Sequence, residues 1–157
     1  MKTMEHFHDM KSLTRKQKFC LLSLIPAYFI VIGLVVQPLQ EIVPGIVNII
    51  REPDFLITDY FVVGGVGAAL INAGVLTLMS IGIIYFMGMD MDGHTITSSC
   101  LMFGFSLFGK NLLNIWAILA GVYLYAKYHK TSMKRYIYIG LYGTSLSPII
   151  TQMMQVG

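Results

Sequence analysis

Three long apolar stretches decide what this chain can fold into: Phe19–Val36, Phe61–Met89 and Thr95–Ala126. The first alone gives 18 residues without a charge, enough for a helix across roughly 30 Å of hydrocarbon. The chain is 55% hydrophobic and only 12% charged, against about 25% charged for an ordinary soluble domain. A chain this apolar cannot cover its own surface with polar groups. The expected fold class is therefore all-α, a polytopic transmembrane helical protein, with the lipid bilayer as its first partner.

The few charges are sorted along the chain. Lys2, Lys11, Arg15, Lys16 and Lys18 crowd residues 1–18, and Lys127, Lys130, Lys134 and Arg135 crowd residues 127–135. The acids Glu41, Glu52, Asp54 and Asp59 lie in 37–60, and Asp90 and Asp92 share a short connector. Positive charge marks the cytoplasmic side. The reading is a basic cytoplasmic arm over 1–18, a transmembrane domain over 19–157, and a multi-pass location in the cell membrane (plasma or inner). A net charge of +3, so distributed, gives no footing for nucleic acid. The length of the first run, with no small-x-small site after it, reads as a signal-anchor rather than a cleaved leader.

Several local patterns have plainer explanations than chemistry. Cys20 and Cys100 lie in apolar runs without zinc or disulfide spacing and read as small buried hydrophobes. "MDMDGH" (Asp90, Asp92, His94) lacks the spacing of a calcium loop, and "EHFHD" at Glu5–Asp9 reads as a solvated tail; no metal or cofactor is expected. "VVGGVGAALINAG" lacks the third glycine and the βαβ setting of a nucleotide loop. At helical spacing it puts Gly65, Ala69 and Ala73 on one stripe and Gly64, Ala68 and Asn72 on the next, an arrangement that lets helices approach closely in lipid. Pro38, Pro44 and Pro53 cut the segment 37–60, which reads as an external loop with a short interfacial helix near Ile42–Ile50.

Counting crossings exposes a conflict. Three single crossings would put residues 127–135 outside, against their charge. One stretch must turn back. As one helix, 95–126 would run about 48 Å, too long for one crossing, and "FGFSLFGKNLLN" interrupts it at Phe108–Asn111. The glycine-rich 61–74 region is the other possibility. Non-helical backbone at membrane depth survives only inside protein or beside a wet cavity. If 95–126 is helical, Ser98, Ser106, Lys110 and Asn114 share one stripe. A lysine at the bilayer centre costs about 2.5–3.5 kcal/mol, so Lys110 faces protein or water beside Ser106, Asn111 and Asn114, or else snorkels from a hairpin tip. With Asn72 and with Thr144, Ser145 and Ser147 of the last apolar segment, these residues form the candidate solute pathway.

The stretches "LITDYFVVGGVGAALINAG", "FGFSLFGKNLLNIWAILAGVYLYAK" and "LYGTSLSPIITQ" together resemble the bacterial multi-pass membrane family known as domain of unknown function family 1576. The resemblance covers roughly residues 55–153. It implies a membrane architecture and no particular substrate. Members of that family are typically longer, with related segments in two halves, so this chain is expected to supply one half and to pair with a second half or a second copy. Two functions compete: a half-unit of a transporter or channel for a small solute, or a membrane scaffold whose small and polar residues only join helices. No HExxH, GxSxG or paired intramembrane carboxylate supports an enzyme.

Overall fold

The computed structural model describes residues 13–52, 58–149 and 153. The Glu5–Asp9 tail, Lys2, Lys11, Pro53 and Asp54 lie outside the described residues. Among the described residues helix is the only regular structure, without a strand. In chain order the helices are α1 Arg15–Val36, α2 Leu39–Arg51, α3 Tyr60–Gly64, α4 Val66–Phe86, α5 Gly93–Phe105, α6 Ile115–Tyr128 and α7 Ile137–Gly143. Single 3-10 turns at Met133–Arg135 and Thr144–Leu146 flank α7.

Two of these, α1 with 22 residues and α4 with 21, are long and apolar enough to cross a membrane. Helix α1 begins inside the basic arm, where Thr14 and Gln17 form a capping box that satisfies two otherwise orphaned backbone donors. It continues through Pro26, and only Phe19, Pro26 and Gly33 are buried. These recur every seven residues, one narrow stripe. Leu21, Leu24, Ile25, Tyr28, Val31 and Val35 all stand exposed. In water such a surface is an aggregation liability. In hydrocarbon it has no penalty, and this points to membrane association.

The buried stripe of α1 meets α4 through glycine. A Cβ on Gly33 would lie 2.7 Å from the carbonyl oxygen of Gly67, and one on Gly74 would lie 2.8 Å from that of Pro26. Backbone therefore touches backbone, as small residues permit in lipid. The two helices run antiparallel and are tied at both ends. At one end Arg15 donates to the carbonyls of Met89 (Nε, 2.7 Å) and Tyr85, capping the end of α4, and its guanidinium lies 4.5 Å over the Tyr85 ring. Its ion pair with Asp90 is 3.9 Å long and exposed, so it adds little. At the other end Gln37 bridges a break. Its Nε2 donates to Gly64 O (3.2 Å) and its Oε1 accepts from Ala68 N (3.1 Å).

That break lies at Gly65, whose φ of 85° is the left-handed region that glycine enters without strain. The stripes drawn on 61–74 presume one continuous helix, but the backbone leaves helix between α3 and α4. Gly64 consequently presses on α2, beside Gly45 and Ile49, while Gly65 faces Gln37. Ala68, Ala69 and Ala73 remain fully buried on α4. Helix α2 starts directly after Pro38 and carries Pro44 inside it, so it is longer than the expected Ile42–Ile50. It turns Ile42, Gly45 and Ile49 inward.

The stretch 95–126 does not form one helix. Helices α5 and α6 stand either side of a non-helical segment, 106–114. At 13 and 14 residues they measure about 20 Å each, too short to cross alone. The chain returns toward its starting end. Lys134 Nζ approaches within 3.5 Å of where a Gly88 Cβ would be, and Tyr138 bonds Asp92 at 3.2 Å. Helix α7 then packs along α6, Gly140 against Val122, and the chain descends until Pro148 meets Gly109. The start of α1, the connector 87–92 and residues 132–138 thus share one end of the molecule.

The cysteines differ from expectation. Cys20 and Cys100 are free and exposed, not buried. Cys20 follows Phe19, one step off the narrow stripe that α1 buries, and Cys100 falls outside the buried set Thr95, Ser98, Ser99 and Met102 of α5.

A Cβ at Gly45 would lie 2.2 Å from Gly64 O, so Gly45→Ala should destabilise the protein by about 3 kcal/mol or more, the upper range of overpacking. Gly82, whose nearest neighbour would be 3.9 Å away, is the control: Gly82→Ala should be neutral or stabilising, by up to about 1 kcal/mol. Unfolding in detergent measures both, and equal behaviour of the two variants contradicts the packing described.

Candidate functional site

The segment 106–114 is assembled by local hydrogen bonds. Helix α5 stops at Phe105. The N–H of Ser106 reaches Met102 O and Phe103 O, and the N–H of Lys110 reaches back to Phe105 O at 3.1 Å. Gly109 makes this closure possible with a φ of 152°, in the way glycine ends many helices. On the far side Asn111 Oδ1 accepts from the N–H groups of Leu113 (2.9 Å) and Asn114 (3.0 Å), opening α6. Asn114 reciprocates: its Oδ1 accepts from Asn111 N at 3.0 Å and its Nδ2 donates to Gly109 O at 2.6 Å.

Two other elements hold this turn in place. Thr58 and Tyr60 donate their N–H groups to Phe108 O (3.0 Å) and Leu107 O (3.2 Å). From α4, Asn72 Nδ2 donates to both Ser106 O and Lys110 O at 2.8 Å each. Asn72 is six residues into α4, about 9 Å along it at 1.5 Å per residue. The turn therefore lies well inside the span of α4. Asn72 Oδ1 is buried and has no hydrogen-bond partner.

Lys110 is fully buried. Its side chain folds back along α5 instead of snorkelling outward. The ammonium Nζ lies 4.0 Å from Met102 Sδ and 5.2 Å from the centroid of the Phe105 ring. The polar neighbours expected around it turn elsewhere: Ser106 bonds Met102 O, Asn114 bonds backbone, and Asn111 bonds backbone and the Tyr60 hydroxyl. Among the described residues the one ion pair is Arg15 with Asp90, so no described carboxylate balances Lys110. A cation over an aromatic face gains about 0.5–2 kcal/mol and a thioether is a weak acceptor. Neither group replaces the hydration of an ammonium.

The remaining candidates are dispersed. Ser106 and Thr144 are buried, and their hydroxyls donate to Met102 O and Leu141 O, 2.6 Å each. Ser147 is buried and Ser145 is half-buried in the last described turns. Ser98 bonds back to Thr95 O on α5 and does not share a stripe with Lys110, because the helix ends between them. Sequence reasoning missed Met102, Phe105, Tyr60 and Gln37. The spacing of Met102 and Phe105, one helical turn apart and just before the glycine, is the signal that could have placed a side chain folding back from Lys110 against them.

Outside this cluster Asp92 caps α5. Burial raises its carboxyl pKa, but hydrogen bonds from Thr95 N–H and hydroxyl and from Tyr138, with His94 nearby, more than offset that and hold it below the usual value. This describes a satisfied cap.

The family model described as Protein of unknown function (DUF1576) matches residues 38–157, from the start of α2 through the turn and α7. No curated protein and no solved structure matches the chain.

Replacing Asn72 with Leu leaves two buried carbonyls without their donor. Each lost bond of this kind costs about 1–3 kcal/mol, so Asn72→Leu should lower stability markedly, and amide exchange should rise at residues 106–114 before the rest of the chain. Uniform exchange along the chain contradicts the assigned role.

Proposed function

The chain belongs to the family described as Protein of unknown function (DUF1576), and from that premise we propose that it is an integral membrane protein acting as a half-unit of a transporter or channel for a small solute. One observation carries the reading: the wholly buried Lys110, with no described carboxylate against it. A methionine would fill much the same space without the desolvation penalty. Ionisable residues kept at membrane depth line solute or ion pathways, and helices interrupted at that depth are where transporters bind. The turn 106–114 and the Gly65 break supply such interruptions. The mechanism is binding and conformational exchange, with no covalent step and no cofactor. A second half or second copy completes the pathway, and the exposed face of α1 is free to receive it.

Because Arg15 and Lys134 stand at the same end of the helices, we assign that end to the cytoplasm, in a multi-pass arrangement in the cell membrane. The test uses a chain with Cys20 and Cys100 replaced by alanine and a new cysteine at Ser132. An impermeant thiol reagent should label it only from the cytoplasmic side; labelling of intact cells from outside removes the assignment.

Reconstituted liposomes test the function. Lys110→Gln should fold and change the rate or charge selectivity of solute flux by about tenfold, the scale of one lost charged contact. Lys110→Met removes all polar contact and should be at least as affected. If Lys110→Met is folded and carries a defined solute at the parental rate, the pathway does not pass Lys110. The glycine contacts of α1 with α4 favour a second reading, a scaffold. It predicts no flux in the parent at all.

A further inference from the structure

We infer that the solute is a small, weakly hydrated monoanion bound at Lys110, an inference that rests on the transport reading above. Three observations converge on this. First, no described carboxylate pairs with Lys110: among the described residues the ion pair present joins Arg15 to Asp90, at the far end of α4. Second, the ammonium is closed off from the surface on which a second half would dock. Lys110 is 0% exposed in this chain alone, so a surface partner cannot reach the ammonium. A counter-charge that fits this burial is one small enough to enter as the turn opens and to remain as it closes. Third, the turn leaves polar capacity unused. Asn72 grips Ser106 O and Lys110 O with its amino group, while its buried Oδ1 has no partner. That buried oxygen, on the carboxamide that holds the Lys110 carbonyl, is a spare acceptor beside the turn.

The surroundings select the kind of anion. The lining beside Nζ is a thioether at 4.0 Å and an aromatic face at 5.2 Å, soft groups that cannot replace a tight water shell. One lysine offers one charge. A divalent anion such as sulfate would remain uncompensated and would give up too much hydration. A monoanion of diffuse charge meets both limits, and nitrate is the simplest probe.

The experiment uses the full chain in nanodiscs. Thermal unfolding is followed against sodium nitrate, with sodium sulfate at matched ionic strength. The expected result is a saturable stabilisation by nitrate, as for any ligand that binds the folded state alone, with none from sulfate. Lys110→Gln should abolish it. Met102→Glu places a carboxylate where the thioether meets Nζ and should weaken the nitrate response by about tenfold or more, because the counter-ion is then built in. No saturable nitrate shift in the parent overturns the inference, as does an unaltered shift in Lys110→Gln. Should Lys110→Gln fail to fold, Met102→Glu decides: a retained response overturns the inference and a lost one supports it. Liposome flux separates this from the transport reading. Nitrate binding without flux keeps the anion site and removes transport. Flux of a neutral or cationic solute, unaltered in Lys110→Gln, keeps transport and removes the anion site.

Discussion

Where α5 stops, the carbonyls of Ser106 and Lys110 lose their helical partners, and the rest of the arrangement follows from how they are satisfied. In an apolar interior an unpaired carbonyl is as unfavourable as a lost hydrogen bond. Asn72 answers both carbonyls with one amino group. This requires α4 to present a carboxamide at one fixed depth, and α4 is fixed by its glycine contacts with α1. The length of α5, the reversal into α6 and the return of residues 127–135 to the starting end all depend on a turn that is tolerable only beside Asn72.

The second break obeys the same rule by a different device. At Gly65 the helix ends and restarts, and Gln37 supplies both a donor and an acceptor across the gap. Each break is matched to a carboxamide from a neighbouring helix, so each ties two elements together.

How far this was legible in the sequence differs from residue to residue. The all-helical class follows from the long apolar runs, and the charge inventory with "FGKN" directs attention to Phe108–Asn111, where the backbone is non-helical from Ser106 to Asn114. What could not be read is what each polar group bonds. Periodicity arguments place Lys110 and Asn114 on a stripe with Ser106 only by assuming a helix, and the helix ends at Phe105. Asn111 and Asn114 look like pathway residues in a sequence, yet they cap one another's backbone. Gln37 carries no visible mark, since its role exists only once α1 lies against the Gly65 break. Cys20 and Cys100 stand exposed, and a helix whose outer face is as apolar as its inner one gives no sign in its sequence of which side is buried.

Lys110 and two groups beside its ammonium, Met102 and Phe105, all belong to one α5–turn segment. The ammonium is thus carried by the hairpin, whose backbone Asn72 ties to α4. Under the membrane reading, any displacement of this segment along the α4 axis moves a positive charge through the transmembrane field, and a full traverse at 100 mV is worth about 2.3 kcal/mol. With an anion held beside it the moving pair is neutral and the field has no grip. The occupied and empty hairpins would then answer to different forces, the first to concentration and the second to voltage, and a capacitive current confined to the empty form is what such a difference produces.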